Sequence, residues 1–147
     1  MSDNYINVKM AAVFENVSLA RIVVTGFIAP LDPTVEENSD IKTAVSEAVT
    51  NAIIHGYHGR SVNSLITMRL AIDGRKITIE ISDDGVGIDD IDAVREPMFT
   101  TKPDLERSGM GFTIMETFMD TVHVKSTPGA GTTIAMTKFL GAALYDQ

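Results

Sequence analysis

The stretch SLITMRLAIDGRKITIEISDD, residues 64–84, constrains the fold most. Two runs of β-branched and apolar residues, 64–73 and 76–84, flank Asp73-Gly74. Apolar residues at every second place give a strand one buried face, and Asp-Gly is a preferred tight turn between antiparallel strands. TVHVKST (121–127) and TTIAMTKFL (132–140) repeat the pattern around PGAG. Two such hairpins need a cover for their apolar faces.

Helical periodicity supplies it. Residues 5–14 partly alternate and predict a first strand. ENVSLARIVVTGFIA (15–29) turns helical, with Asn16 or Ser18 as cap. Residues 30–40 read as a turn region with one helical turn after Pro33. A long helix is predicted from about Asp40, its N-cap, to about Tyr57, with Gly56 near its end. Residues 89–108 read as a long loop and 109–120 as a further helix. Grouped helices with hairpin-linked strands predict an α+β class. The expected architecture is a two-layer α/β sandwich with a mixed, mostly antiparallel sheet and helices on one face. A long loop inside a compact domain is usually a lid or binding element.

The chain is one domain's length at 147 residues, with no cysteine and a formal charge of −8. An acidic chain without a basic cluster is repelled by nucleic acid, so none is expected as a direct partner. No run suits a signal peptide or a membrane span, so a cytoplasmic protein is expected.

On a helical wheel, Ile41, Ala44, Val45, Ala48, Val49, Ala52 and Ile53 form one apolar face. Glu47, Asn51 and His58 gather on another, with His55 beside them. Glu47 and Asn51 are four apart and therefore neighbours. Ile54 falls among these polar positions, so the face is not simply solvated. A carboxylate and an amide one turn apart suit a hard cation or a proton transfer from a hydroxyl. A solvated helix face would give the same pattern.

DDGVGI (83–88) follows a strand, and its glycines let a backbone approach a ligand closely. Asp83, at the strand end, can accept from an exocyclic amine. RSGMGF (107–112) opens a helix whose amides and dipole favour an anion. It is no Walker A loop, because no Gly-Lys-Ser/Thr follows. Lys102 and Arg107 lie just upstream. GAGTT (129–133) places hydroxyls at the entry to a strand.

Taken in order, E-x-x-x-N on a helix, D-x-G-x-G after a strand, G-x-G at a helix start and G-T-T before a strand resemble the GHKL (Bergerat-fold) ATP-binding superfamily. That superfamily includes histidine kinase catalytic domains and type II topoisomerases. VSEAVTNAIIHGY and FTTKPDLERSGMGFTIME narrow the likeness to the anti-sigma F factors, sporulation regulators that are also serine protein kinases. The resemblance implies one GHKL kinase domain over 1–147 with a lid at about 93–110. It implies ATP and Mg²⁺ as cofactors, with Asn51 on the metal and Glu47 as general base for a serine hydroxyl. Asp83 would take the adenine amine. Gly85 and Gly87 would shape the pocket, Thr133 would lie close to the base, and His55 belongs to the same ATP-binding set. Thr100, Thr101, Lys102, Ser108, Gly109, Met110 and Gly111 would surround the phosphates, with Arg107 on the γ-phosphate. The implied partners are a sporulation sigma factor and an anti-anti-sigma factor, the phosphorylated substrate. Arg21 matches a partner-contacting position. The first strand is expected to pair with its copy in a homodimer. A stand-alone histidine-kinase-like domain and a nucleotide-gated binding module are the alternatives.

Overall fold

The computed structural model describes residues 3–88 and 111–141. Strand β1 (Asn4–Ala12) leads into helix α1 (Glu15–Ile28), and helix α2 (Val35–Asn51) follows. Strands β2 (Ser61–Asp73) and β3 (Lys76–Asp83) form the first hairpin. Helix α3 (Gly111–Phe118) precedes the second hairpin, β4 (Thr121–Thr127) and β5 (Gly131–Phe139).

The five strands form one sheet in the order β1-β2-β3-β5-β4. All four pairings are antiparallel. β4 runs parallel to β3, but β5 lies between them, so the mixed component expected from the sequence makes no parallel ladder among the described strands. Alternation sets the faces. Ile77, Ile79 and Ile81 of β3 are buried while the residues between them are half-exposed. They meet Ile134 and Met136 of β5 and Ile66, Met68 and Leu70 of β2 in one core with α1, α2 and α3. The α+β two-layer arrangement with helices on one face follows from that single buried face.

The helix boundaries differ from the sequence expectation in three places. The cap of α1 is neither Asn16 nor Ser18: Phe14 stands at the N-cap without a side-chain bond. The Asn16 side-chain amide instead donates from Nδ2 to the Ala11 carbonyl at 2.9 Å, which fastens the corner between β1 and α1. α2 begins at Val35 and not at Asp40. Thr34 caps it in a reciprocal box: the Glu37 amide donates to Thr34 Oγ1 at 3.0 Å and the Thr34 amide to Glu37 Oε1 at 2.9 Å. This Thr-x-x-Glu box satisfies two otherwise orphaned amides. It escapes a pattern search because the first turn is polar, and its one apolar residue, Val35, is 88% exposed. Asp40 lies inside the helix, 3.7 Å from Lys138 of β5.

The third difference is at the other end. α2 passes at Asn51 into a π-turn, Ala52–Gly56. The Tyr57 amide reaches back five residues to the Ala52 carbonyl at 3.1 Å. His58 then takes a left-handed conformation, φ 60°. It has left the helix, so the wheel position that grouped it with Glu47 and Asn51 does not exist. One-turn π-bulges inside helices cluster at functional sites.

Candidate functional site

The strand alternation that builds the core ends on a carboxylate. Ile77, Ile79, Ile81 and Asp83 point to the helix side in turn, and Asp83 is only 8% exposed. In register, Asp83 faces Thr132 of β5, which is equally buried. The Gly85 amide donates to Asp83 Oδ1 at 2.9 Å. Burial pushes the Asp83 carboxyl above its ordinary range, with the Asp84 charge adding to the rise. Backbone amides of Gly85 and Thr132 work against it. A carboxylate so placed is desolvated yet keeps acceptor capacity, which suits an amine donor.

Two backbones close on this group. The Val86 amide donates to the Gly56 carbonyl at 3.0 Å. A Cβ on Gly56 would sit 2.8 Å from Asp83 Cγ. A Cβ on Gly85 would sit 2.0 Å from the Gly56 oxygen. The last residue of the π-turn therefore touches both the carboxylate and the loop after it. Gly87, with φ 77°, lies beside the second hairpin: a Cβ there would be 2.3 Å from the Thr127 oxygen. The Gly129 amide donates to the Val86 carbonyl at 2.7 Å and joins that hairpin to the loop.

Upstream of the π-turn, Glu47 and Asn51 are half-buried one turn apart on α2, beside the buried Ala48 and Ala52. Ile54, which the wheel set among them, is 2% exposed. The Asn51 side-chain amide nitrogen is buried without a hydrogen-bond partner among the described residues. Buried polar atoms almost always have partners, and an orphan asks for an explanation such as a bound ion or ligand. The oxygen and nitrogen of an amide are interchangeable assignments, so the orphan marks an amide end with unmet capacity. His55 is half-buried within the π-turn.

Thr133 does not join this group. It pairs with Ser82 in register, and their hydroxyls are 2.9 Å apart on the sheet face away from the helices. The threonine on the Asp83 side is Thr132, whose hydroxyl is 2.8 Å from Ser126 Oγ. Counting by twos along β5 from the buried Met136 and Ile134 reaches Thr132, and that signal is in the sequence. Gly56 and Tyr57 carry no local signal as site residues, because a glycine near a helix end reads as a plain terminator.

Gly111 is buried at the first turn of α3. Thr100, Thr101, Lys102, Arg107, Ser108, Gly109 and Met110, and with them the expected lid, lie outside the described residues. Arg21 is exposed on α1 between Leu19 and Ile22, which are 46% and 68% exposed. β1 is an edge strand. No helix among the described residues is long and apolar enough to cross a membrane.

The sequence family described as histidine kinase-like ATPase domain matches residues 10–138. The anti-sigma F factor of Thermoanaerobacter sp. (strain X514) is 57% identical over 128 residues, which is 87% of this chain and 88% of that one. The chain belongs to the anti-sigma F factor family. The factor from Caldanaerobacter subterraneus subsp. tengcongensis is 52% identical over 139 residues, 95% of this chain and 96% of its own. Among solved structures, the RsbU and RsbW domains of a Mycobacterium tuberculosis protein match with TM-score 0.66 at 18% identity, over 93% of this chain and 32% of that one. The catalytic domain of histidine kinase ThkA matches with TM-score 0.57 at 14% identity, over 93% of this chain and 96% of its own. At these identities the two structures speak for the fold alone. Family membership makes the protein an anti-sigma factor with a histidine kinase-like ATPase domain.

Proposed function

We propose that this protein holds a sporulation sigma factor inactive and, using Mg²⁺ and ATP, phosphorylates a serine of its anti-anti-sigma antagonist. The observation that carries the reading is the continuity of Glu47, Asn51 and the π-turn with Asp83. A carboxylate and an under-satisfied amide stand one turn apart, and the same helix runs on to touch the buried carboxylate through Gly56.

Each group has a role in that reading. Asp83 accepts from the adenine amine beside Thr132. Asn51 offers a neutral oxygen of the kind Mg²⁺ takes alongside phosphate oxygens, since this ion is often held by few protein ligands. The ion, when bound, neutralises phosphate charge. Phosphoryl transfer depends more on positioning and electrostatics than on covalent chemistry. The serine oxygen forms a bond to the γ-phosphorus, the bond to the bridging oxygen breaks, and ADP leaves. The serine proton passes to the Glu47 carboxylate. Lys102, Arg107, the hydroxyls of Thr100 and Thr101, and the chain from Ser108 to Gly111 complete the phosphate end by family likeness.

The partner surfaces are proposed on the same footing. The exposed trio Leu19, Arg21 and Ile22 offers a partner an apolar grip with a charge at its centre. The open edge of β1 offers a second copy a strand to pair with.

Incubating the protein with Mg²⁺, γ-labelled ATP and its anti-anti-sigma protein should place label on a partner serine. Glu47→Gln should reduce the transfer rate by about 10²–10⁴-fold, the usual contribution of a general base, while ATP still binds. Label on a histidine of the protein itself would instead favour a histidine-kinase-like activity. Binding without transfer would leave a nucleotide-gated binding module.

A further inference from the structure

The β2–β3 ladder stops where a side chain enters it. Ile66 pairs with Asp83, so Leu65 and Asp84 would form the next rung. They do not bond to each other. The Tyr57 hydroxyl stands between them. It donates to the Leu65 carbonyl at 2.6 Å and accepts from the Asp84 amide at 2.7 Å. One phenol oxygen thus replaces a backbone rung and holds the two strands apart at the residue after Asp83.

We infer that Tyr57 is a positioning residue that sets adenine selectivity by fixing the orientation of Asp83. This inference rests on the proposed placement of adenine at Asp83. Tyr57 follows Gly56 directly, so the end of one turn grips the chain twice just after the carboxylate. Gly56 takes the Val86 amide and Tyr57 takes the Asp84 amide. Between those grips the Gly85 amide caps Asp83 Oδ1. The peptide that carries Asp83 is therefore fixed from the side opposite its β5 partner. The ring packs against the core, so the hydroxyl has little freedom to leave. Burial, with the charges of Asp83 and Asp84, pushes the phenol above its usual value, and it keeps the proton it gives to Leu65 at neutral pH.

Without the hydroxyl, the Asp84 amide and the Leu65 carbonyl are free to close on each other as an ordinary rung. That movement would turn Asp83 away from the position that receives an amine. Hydrogen-bonded recognition falls steeply when a donor and acceptor lose alignment. The loss would fall on ligands bearing the amine and spare those without it.

The test compares ATP with ITP, which carries a carbonyl where adenine carries its amine, in equilibrium binding to the wild type and to Tyr57→Phe. The wild type should prefer ATP. Tyr57→Phe should lower the ATP-to-ITP affinity ratio by about tenfold, the size of one charge-assisted hydrogen bond, through weaker ATP binding with ITP unchanged. An equal fall for both nucleotides, or a change in melting temperature alone, would show a merely structural tyrosine and overturn the inference. A wild type without preference for ATP would overturn it together with the placement of adenine at Asp83. If Tyr57→Phe does not fold, 4-aminophenylalanine at position 57 serves. It keeps a donor for Leu65 and weakens the acceptor for Asp84, so the ratio should again fall, and an unchanged ratio would contradict the inference.

Discussion

Asp83→Asn should lower ATP affinity on the order of 100-fold, the upper range for a hydrogen bond to a charged group, and should melt no lower than the wild type. The binding loss follows from the donor and acceptor inventory. An asparagine keeps one oxygen for the Gly85 amide but turns a donor toward the incoming amine. The stability expectation follows from the raised carboxyl. Burial makes ionised Asp83 less favourable in the fold than in the unfolded chain. Its contribution to stability is therefore full at pH below the ordinary carboxylate value and declines as pH rises through the interval up to the raised value. As pH rises through that interval the wild type takes on that charge in the fold and the variant does not. Thermal melts at acid and neutral pH check this: the variant's advantage should be larger at neutral pH. A variant that binds ATP normally, or that loses its fold, would contradict the account. A site whose key residue costs stability when it is ready to bind is the usual trade between stability and function.

Gly85→Ala should be among the most damaging single changes in the described chain. The new methyl would sit 2.0 Å from the Gly56 oxygen and 2.4 Å from its carbonyl carbon. Both are backbone atoms, so no flexible side-chain end can yield. Relief requires the exit of β3 to part from the π-turn. That breaks the bond from the Val86 amide to the Gly56 carbonyl and pulls Asp84 from Tyr57. Steric conflicts of this kind fall in the tail of mutational effects, at about 3 kcal/mol or more. For a chain of this size that corresponds to a melting temperature lower by roughly 6–12 °C. Gly26→Ala is the control. It lies exposed on α1 with nothing within 4 Å of the added carbon. There alanine should be neutral or stabilising by up to about 1 kcal/mol, through helix propensity. Equal melting of the two variants would mean that the close approach of Gly56 and Gly85 does not exist in solution.

These two residues also show how far the sequence was readable. Strands carry their faces in a period of two, so both hairpins, their turns and the buried side of β3 could be placed from the residues alone. Ordered motifs, from Glu47 and Asn51 to Asp83 and its glycines, pointed to the family. What escaped depends on geometry without periodicity. The capping box at Thr34 opens on an exposed polar turn that resembles a loop. The π-turn shifts everything after Asn51, so a wheel drawn at constant pitch carries His58 to a face it never occupies. A slip of one residue moves a side chain to the other face of a sheet, and that separates Thr132, beside Asp83, from Thr133, beside Ser82. The contact between Gly56 and Gly85 joins residues far apart in sequence, and no local pattern announces it.

The most direct test of the account is a crystal structure of the protein with Mg²⁺ and a non-hydrolysable ATP analogue. The adenine amine should lie about 3 Å from an Asp83 carboxylate oxygen, a normal hydrogen-bond length. The base should lie on the Thr132 side of the sheet, with the Asn51 amide oxygen on the metal. Adenine lying on the Ser82–Thr133 face, or a metal held without Asn51, would contradict it.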